Sequence, residues 1–175
     1  VDPTVSELID AYGFEPLPVE GTLFVSTYRS TDSLPDGAPF GTAMIGLYSH
    51  DPVSRSLFHR LTHDEIWHFY GGEPIRLVLL HPDGVVDEVW LGRDARAGQR
   101  VQFVVPAGVW QAGELTAGGS YGLFGCTMAP GFTGAGFEGG HRSVLLASHP
   151  SAHVDIERLA VPDDEHAAMP DGFAT

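Results

Sequence analysis

A chain of 175 residues with 43% apolar content supports one domain with one sizeable core, and two independent cores would each be small. Its formal net charge of −14 excludes nucleic acid, which needs clustered Lys and Arg, and disfavours anionic membrane surfaces. No apolar run reaches the roughly 20 residues that span a bilayer, and the first residues lack the basic-then-apolar pattern of a secretory leader. Cys126 is the only cysteine, so no intrachain disulfide forms, and a reducing cytoplasm is the expected compartment. Inside the apolar stretch 123–128 this thiol reads as core filler.

The chain opens on a short predicted helix. Thr4 is its N-cap and Glu7 completes a capping box, while Val5, Leu8, Ile9 and Tyr12 follow at helical spacing and Gly13 stops it. From about Gly21 the apolar pattern becomes that of strands, over 23–28, 42–48, 65–70, 75–80, 85–91, 100–105 and 121–127. A polar loop at 32–41, the run Gly71-Gly72-Glu73-Pro74 and the turn His81-Pro82-Asp83-Gly84 separate them; in the last, Pro presets φ and Gly accepts positive φ. Short strands punctuated this often predict an all-β sandwich or barrel. Beyond Phe132 the Gly-rich chain reads as loop, and residues 151–160 predict a closing helix with Ala152, Ile156 and Leu159 on one side. Residues 1–160 are taken as a single domain, and the acidic residues 161–175 as a tail, mobile or touching a partner.

Chemistry concentrates in residues 59–72. Three of the nine histidines (His59, His63, His68) crowd there with Asp64, Glu65, Trp67, Phe69 and Tyr70. On an extended strand Glu65, Trp67 and Phe69 share one face, and Ile66, His68 and Tyr70 the other. His59 and His63 have the parity of Glu65 unless a turn breaks the register. A second segment, residues 98–111, reads as a strand, a tight Pro106-Ala107-Gly108 turn and a returning strand that carries Trp110 and Gln111.

These two segments resemble the two signature motifs of the cupin superfamily: a His-x-His pair leading to Glu and Gly, then Gly leading through Pro-x-Gly to His. The chain is more closely similar to a cupin family known only as a domain of unknown function. The blocks Leu8-Ile9-Asp10-Ala11-Tyr12-Gly13, Thr27-Tyr28-Arg29-Ser30, His59-Arg60-Leu61 and Asp64-Glu65-Ile66-Trp67-His68-Phe69 carry that likeness. The runs 105–111 and 125–132 extend it over roughly residues 5 to 160. The resemblance implies a double-stranded β-helix, the cupin jelly-roll barrel, with a short N-terminal helix and a C-terminal helix and tail. It also implies a homodimer and kinship with sugar-nucleotide epimerases and metal-dependent oxygenases.

Three departures shape the functional expectation. Leu61 replaces the second His of the pair, and Gln111 stands where the second motif has His. Iron oxygenases need two His and one carboxylate, and a Gln amide oxygen is a poor ligand for such metals. A divalent transition metal would fall to His59, Glu65, and His63 or Gln111. Third, Val25 and Ser26 replace the base and acid of the family's first strand, which points to a less polar substrate. The leading expectation is therefore an enzyme without redox cofactor that moves protons on a small organic molecule, as in isomerisation, epimerisation, cyclisation or elimination. Glu65, His59 and His68 are the candidate catalytic groups. For Glu65, apolar neighbours favour the neutral acid and suit general acid or base work, and an ion pair with Arg60 or Arg76 is the structural alternative. Gln111, Trp67, Trp110, Phe69, Tyr70, Tyr28 and Arg29 are candidate substrate contacts, the last two for an anionic group. A metal-dependent cupin such as a dioxygenase, and a non-catalytic small-ligand binder, are the alternatives.

Overall fold

The computed structural model describes residues 3–174; of the expected domain and tail, residues 1, 2 and 175 lie outside the described residues. Helix α1 (Val5–Tyr12) begins where Thr4 Oγ1 accepts the Glu7 N–H (3.2 Å) and Glu7 Oε2 accepts the Thr4 N–H (2.7 Å). It ends at Gly13, whose φ of 70° is the left-handed cap only glycine adopts freely.

Among the described residues twelve strands follow: β1 (Glu15–Pro16), β2 (Leu23–Arg29), β3 (Thr42–His50), β4 (Val53–Ser54), β5 (Ser56–Leu61) and β6 (Glu65–Gly72). After them come β7 (Ile75–Leu80), β8 (Val86–Leu91), β9 (Gln102–Val105), β10 (Trp110–Leu115), β11 (Tyr121–Met128) and β12 (Phe137–Gly139). They form two antiparallel sheets. One runs β1-β2-β3-β11-β6-β9 with β4 beside β3, and the other runs β12-β5-β10-β7-β8. This is the two-sheet jelly roll expected from the sequence. Among the described residues no helix is long and apolar enough to cross a membrane.

The space between the sheets is filled by Tyr48, Trp67, Leu77, Leu79 and Phe124, all at most 1% exposed. Gly46 makes this possible, because a Cβ there would collide with the Phe124 ring. From Leu77 to Leu80 the sequence of β7 is an unbroken apolar run because both its faces are covered there. Leu77 and Leu79 turn into the barrel, and Val78 and Leu80 turn out against α2 (Arg142–Ser148) and α3 (His153–Leu159). On the other sheet α1 covers the outward Val25, Ile45 and Leu123 with Leu8 and Ile9.

The closing segment differs from expectation. The helix expected over 151–160 is present as α3, and a second helix, α2, precedes it in the stretch read as loop, joined to it through a 3₁₀ turn at Pro150–Ala152. Pro150 forces the break, since the residue before a proline is driven out of helical geometry. Helix α2 has one buried residue, Leu145, too few to give a periodic signal. The described part of the acidic tail is laid back on the barrel. Gly139 N–H donates to the Ala167 carbonyl (2.6 Å), Met169 is buried, and the Phe173 ring packs against Phe24 and Phe132. Two apolar anchors suffice to dock a segment whose acids stay in water.

Candidate functional site

One end of the barrel encloses a cavity of about 390 Å³, within the range of small-molecule sites. Its walls are mainly apolar, from Leu17, Phe24, Met44, Leu61, Met128 and Phe132, and the tail residue Phe173 lies at the same cavity. Into these walls are set Glu20, Arg29, His59, Glu65 and Cys126.

The turn at 62–64 between β5 and β6 carries the chain from one sheet to the other, so His59 and Glu65 belong to opposite walls. His59 is 3% exposed and its ring stacks on Phe137 at 5.3 Å. Its Nδ1 lies 2.8 Å from the Leu57 carbonyl, which only accepts, so Nδ1 carries the proton and Nε2 of the neutral ring is the free base. Nε2 faces Glu20 Oε2 at 3.7 Å. The other oxygen of Glu20 accepts hydroxyl protons from Thr22 (2.6 Å) and Ser56 (2.5 Å), and Ser56 also bonds the buried Tyr48 hydroxyl.

Glu65 is 8% exposed. Desolvation pushes its carboxyl above the ordinary 4.5, reinforced by Glu20 and opposed by His59 and by hydrogen bonds from Gln111 and Cys126. Gln111 Nε2 donates to Glu65 Oε2 (2.7 Å), and Gln111 Oε1 accepts from the Trp67 indole (2.8 Å). The partners dictate this amide orientation, since an indole N–H only donates. Gln111 neighbours His59 across the β5–β10 ladder, so it ties the imidazole wall to the carboxyl wall.

The family model described as cupin superfamily, DUF985, matches residues 6–139. The chain belongs to the cupin superfamily. Among solved structures, this cupin is similar to a Shewanella oneidensis protein with 31% identity and a TM-score of 0.85, over 93% of this chain and all of that one. It is also similar to a hypothetical protein from Leishmania major with 25% identity and a TM-score of 0.82, over 90% of this chain and 99% of that one. No curated protein matches.

Of the residues singled out from the cupin's sequence, the fold brings Glu65, His59 and Arg29 to the cavity and sets Gln111 behind Glu65. It sends others elsewhere. Regular alternation along β6 puts His68 and Tyr70 on the outer face, where His68 Nε2 meets Thr127 Oγ1 (2.9 Å) and Tyr70 is 46% exposed. Trp67 and Phe69 share the inward face with Glu65 but are packed in the core beyond the cavity. Trp110 faces outward, under α2 and α3, with the Arg60 guanidinium 4.5 Å from its ring, because the inward place next to it belongs to Gln111. Tyr28 is 56% exposed, since Thr27 is an extra residue in the β2–β3 ladder and reverses which side chains point inward. The same reversal turns Arg29 into the cavity with Phe24 and Ser26.

Two lining groups had no assigned role in the sequence. Glu20 precedes the first long strand, in a stretch with no periodic pattern to say which way it points. Cys126, read as core filler, is buried as expected, yet it lines the cavity beside Glu65, and each of the two groups affects the other's titration. The alternation Phe124, Cys126, Met128 along β11 was the available signal.

The residues present do not fit the transition metal that cupins often hold. Gln111 spends its one ligating oxygen on Trp67. His63 sits in the 62–64 turn, with Nδ1 3.3 Å from Thr62 Oγ1, and does not line the cavity. Among the described residues no three His, Cys, Asp or Glu side chains are grouped to hold a metal ion.

Proposed function

We propose that this cupin is an enzyme that relocates a proton on a small, largely apolar molecule, with His59 as base and Glu65 as acid. The carrying observation is their placement on opposing walls of one apolar cavity, with Nδ1–H of His59 held by Leu57 and burial favouring the neutral acid of Glu65. His59 Nε2, with Nδ1–H held by Leu57, takes a proton from an acidified carbon; the C–H electron pair stays on the substrate. The imidazolium formed faces the Glu20 carboxylate 3.7 Å away, which stabilises it. Glu65, whose neutral form desolvation favours, delivers its proton from the other wall, and Gln111 holds the resulting carboxylate through Oε2. Delivery to the same carbon inverts it, and delivery two atoms away moves a double bond. The pair ends as imidazolium and carboxylate and returns to its starting state by exchanging protons with water. No redox change occurs.

The test is solvent deuterium incorporation into a panel of small carbonyl compounds, followed by NMR in heavy water. Positioned acid or base groups contribute about 10²- to 10⁴-fold, so Glu65→Gln and His59→Gln should each slow exchange by that order. Exchange that both variants leave intact would overturn the reading. Binding by wild type with no exchange of any compound would make the protein a ligand carrier.

A further inference from the structure

We infer that the substrate is a monoanionic carboxylic acid with an apolar body, and that Arg29 is the residue that selects it. This rests on the proton-transfer reading for the identity of the reacting end, but its evidence is separate.

All nine basic residues of the chain are arginine, against 23 acids, so carboxylates to pair with are plentiful. Arg29 nevertheless has no carboxylate within salt-bridge distance among the described residues. Its hydrogen bond runs from Nη1 to the Phe132 carbonyl (2.9 Å), while Phe132 N–H is held by Thr42 Oγ1 (2.9 Å). The guanidinium is thereby pinned at the cavity wall. It points there only because of the bulge at Thr27; an unbroken strand would present Tyr28 instead.

Register places this cation relative to the reacting groups. Arg29 pairs with Thr42, Thr42 with Met128, and Met128 with Glu65, one row across four adjacent strands. All four residues line the cavity. Three inter-strand steps of about 4.8 Å make a separation of about 14 Å along the sheet between the Arg29 and Glu65 backbones. A ligand lying along this row meets a fixed cation at one end, Met128 in the middle, and Glu65 with His59 at the other. The carboxylate is thus held away from the carbon that exchanges its proton.

Charge and lining decide which anion. Among the described residues Arg29 is the one guanidinium at the cavity, and Glu20 and Glu65 bring two carboxyl groups. One guanidinium cannot balance a dianionic phosphate, and the Glu20 carboxylate adds to the excess of negative charge, whereas a carboxylate matches the planar guanidinium one to one. The apolar walls take the remainder of the molecule.

The experiment is calorimetric titration of the full chain at low ionic strength. The probes are small alkyl and phenyl-substituted carboxylic acids, their neutral primary amides, and phosphate monoesters of the same bodies. Wild type should bind the acids about 10- to 100-fold more tightly than the amides, and Arg29→Met should erase that preference while Arg29→Lys restores part of it. The comparison of acid with amide on wild type stands even if a variant folds poorly. Equal affinity for acid and amide, tighter binding of the phosphate esters, or no binding by any probe would overturn the inference. Selective acid binding without deuterium exchange would instead overturn the proton-transfer reading and leave this one standing.

Discussion

Glu65 shows how a single carboxyl takes its titration from where it is put. Burial favours its neutral form, so the folded protein binds that proton more tightly than the unfolded chain does. Wild-type stability therefore falls as pH rises from about 4.5 through the raised pKa, and is level above it. Glu65→Gln carries no such proton. Its melting temperature relative to wild type should climb as pH rises from about 4.5 through the raised pKa, as followed by thermal melts in a pH series. A difference constant with pH would mean that the carboxyl titrates normally. Gly113 acts at the same scale. A Cβ there would strike the Tyr48 hydroxyl, which bonds Ser56, and Ser56 bonds Glu20. Gly113→Ala should thus slow proton exchange while Glu65 and His59 are untouched, read as a lower kcat with the apolar cavity still able to bind ligand.

Elements are joined by equally local devices. Arg76 on β7 donates two hydrogen bonds to Asp155 on α3 (2.8 and 2.9 Å), one to Glu88 on β8 (2.6 Å) and one to Glu114 on β10 (3.1 Å). Arg158 completes the cluster through Glu114 (2.8 Å). One guanidinium thus clamps the last helix to three strands. Arg76→Met should cost about 1.5–3 kcal/mol at neutral pH by urea denaturation. The Arg76 hydrogen bonds hold the Asp155 carboxyl below its ordinary 3.8, so the stabilisation is present above that value and is lost as pH falls through the lowered pKa. The mutational penalty should shrink accordingly in acid; a penalty independent of pH would show that Arg76 acts by packing alone.

For the molecule as a whole, the unusual feature is that its own C-terminal segment forms part of the cavity wall. Met169 and Phe173 join Leu17, Phe24, Phe132 and Phe137 in one apolar cluster at the cavity. Removing residues 168–175 should cost about 2–3 kcal/mol through the lost burial of these two side chains. It should also raise the fluorescence of an added apolar dye, because the cavity then opens to solvent. An unchanged dye signal would mean that the segment does not control access.

The division between sequence and tertiary structure follows from the range of the forces involved. Period-two alternation, turn residues and a capping box act over a few neighbours, so α1, most of the strands and the inward face of Glu65 and Trp67 were legible in the chain. Two cupin motifs in order pointed to the jelly roll and brought His59 and Gln111 forward. Local signals stop where the chain must meet itself. The bulge at Thr27 arises from the pairing of β2 with β3 and exchanges Tyr28 for Arg29. Trp110 lies under two helices and not over a ligand, because helices that follow it by some thirty residues dock on that face. Glu20 reaches His59 because a loop before the first long strand folds under β5. The sequence by itself determined a β-barrel with an acid and an imidazole in its motif region. Only packing between distant segments decided which side chains share the cavity, since no residue carries in its own neighbourhood the information about what will face it across the barrel.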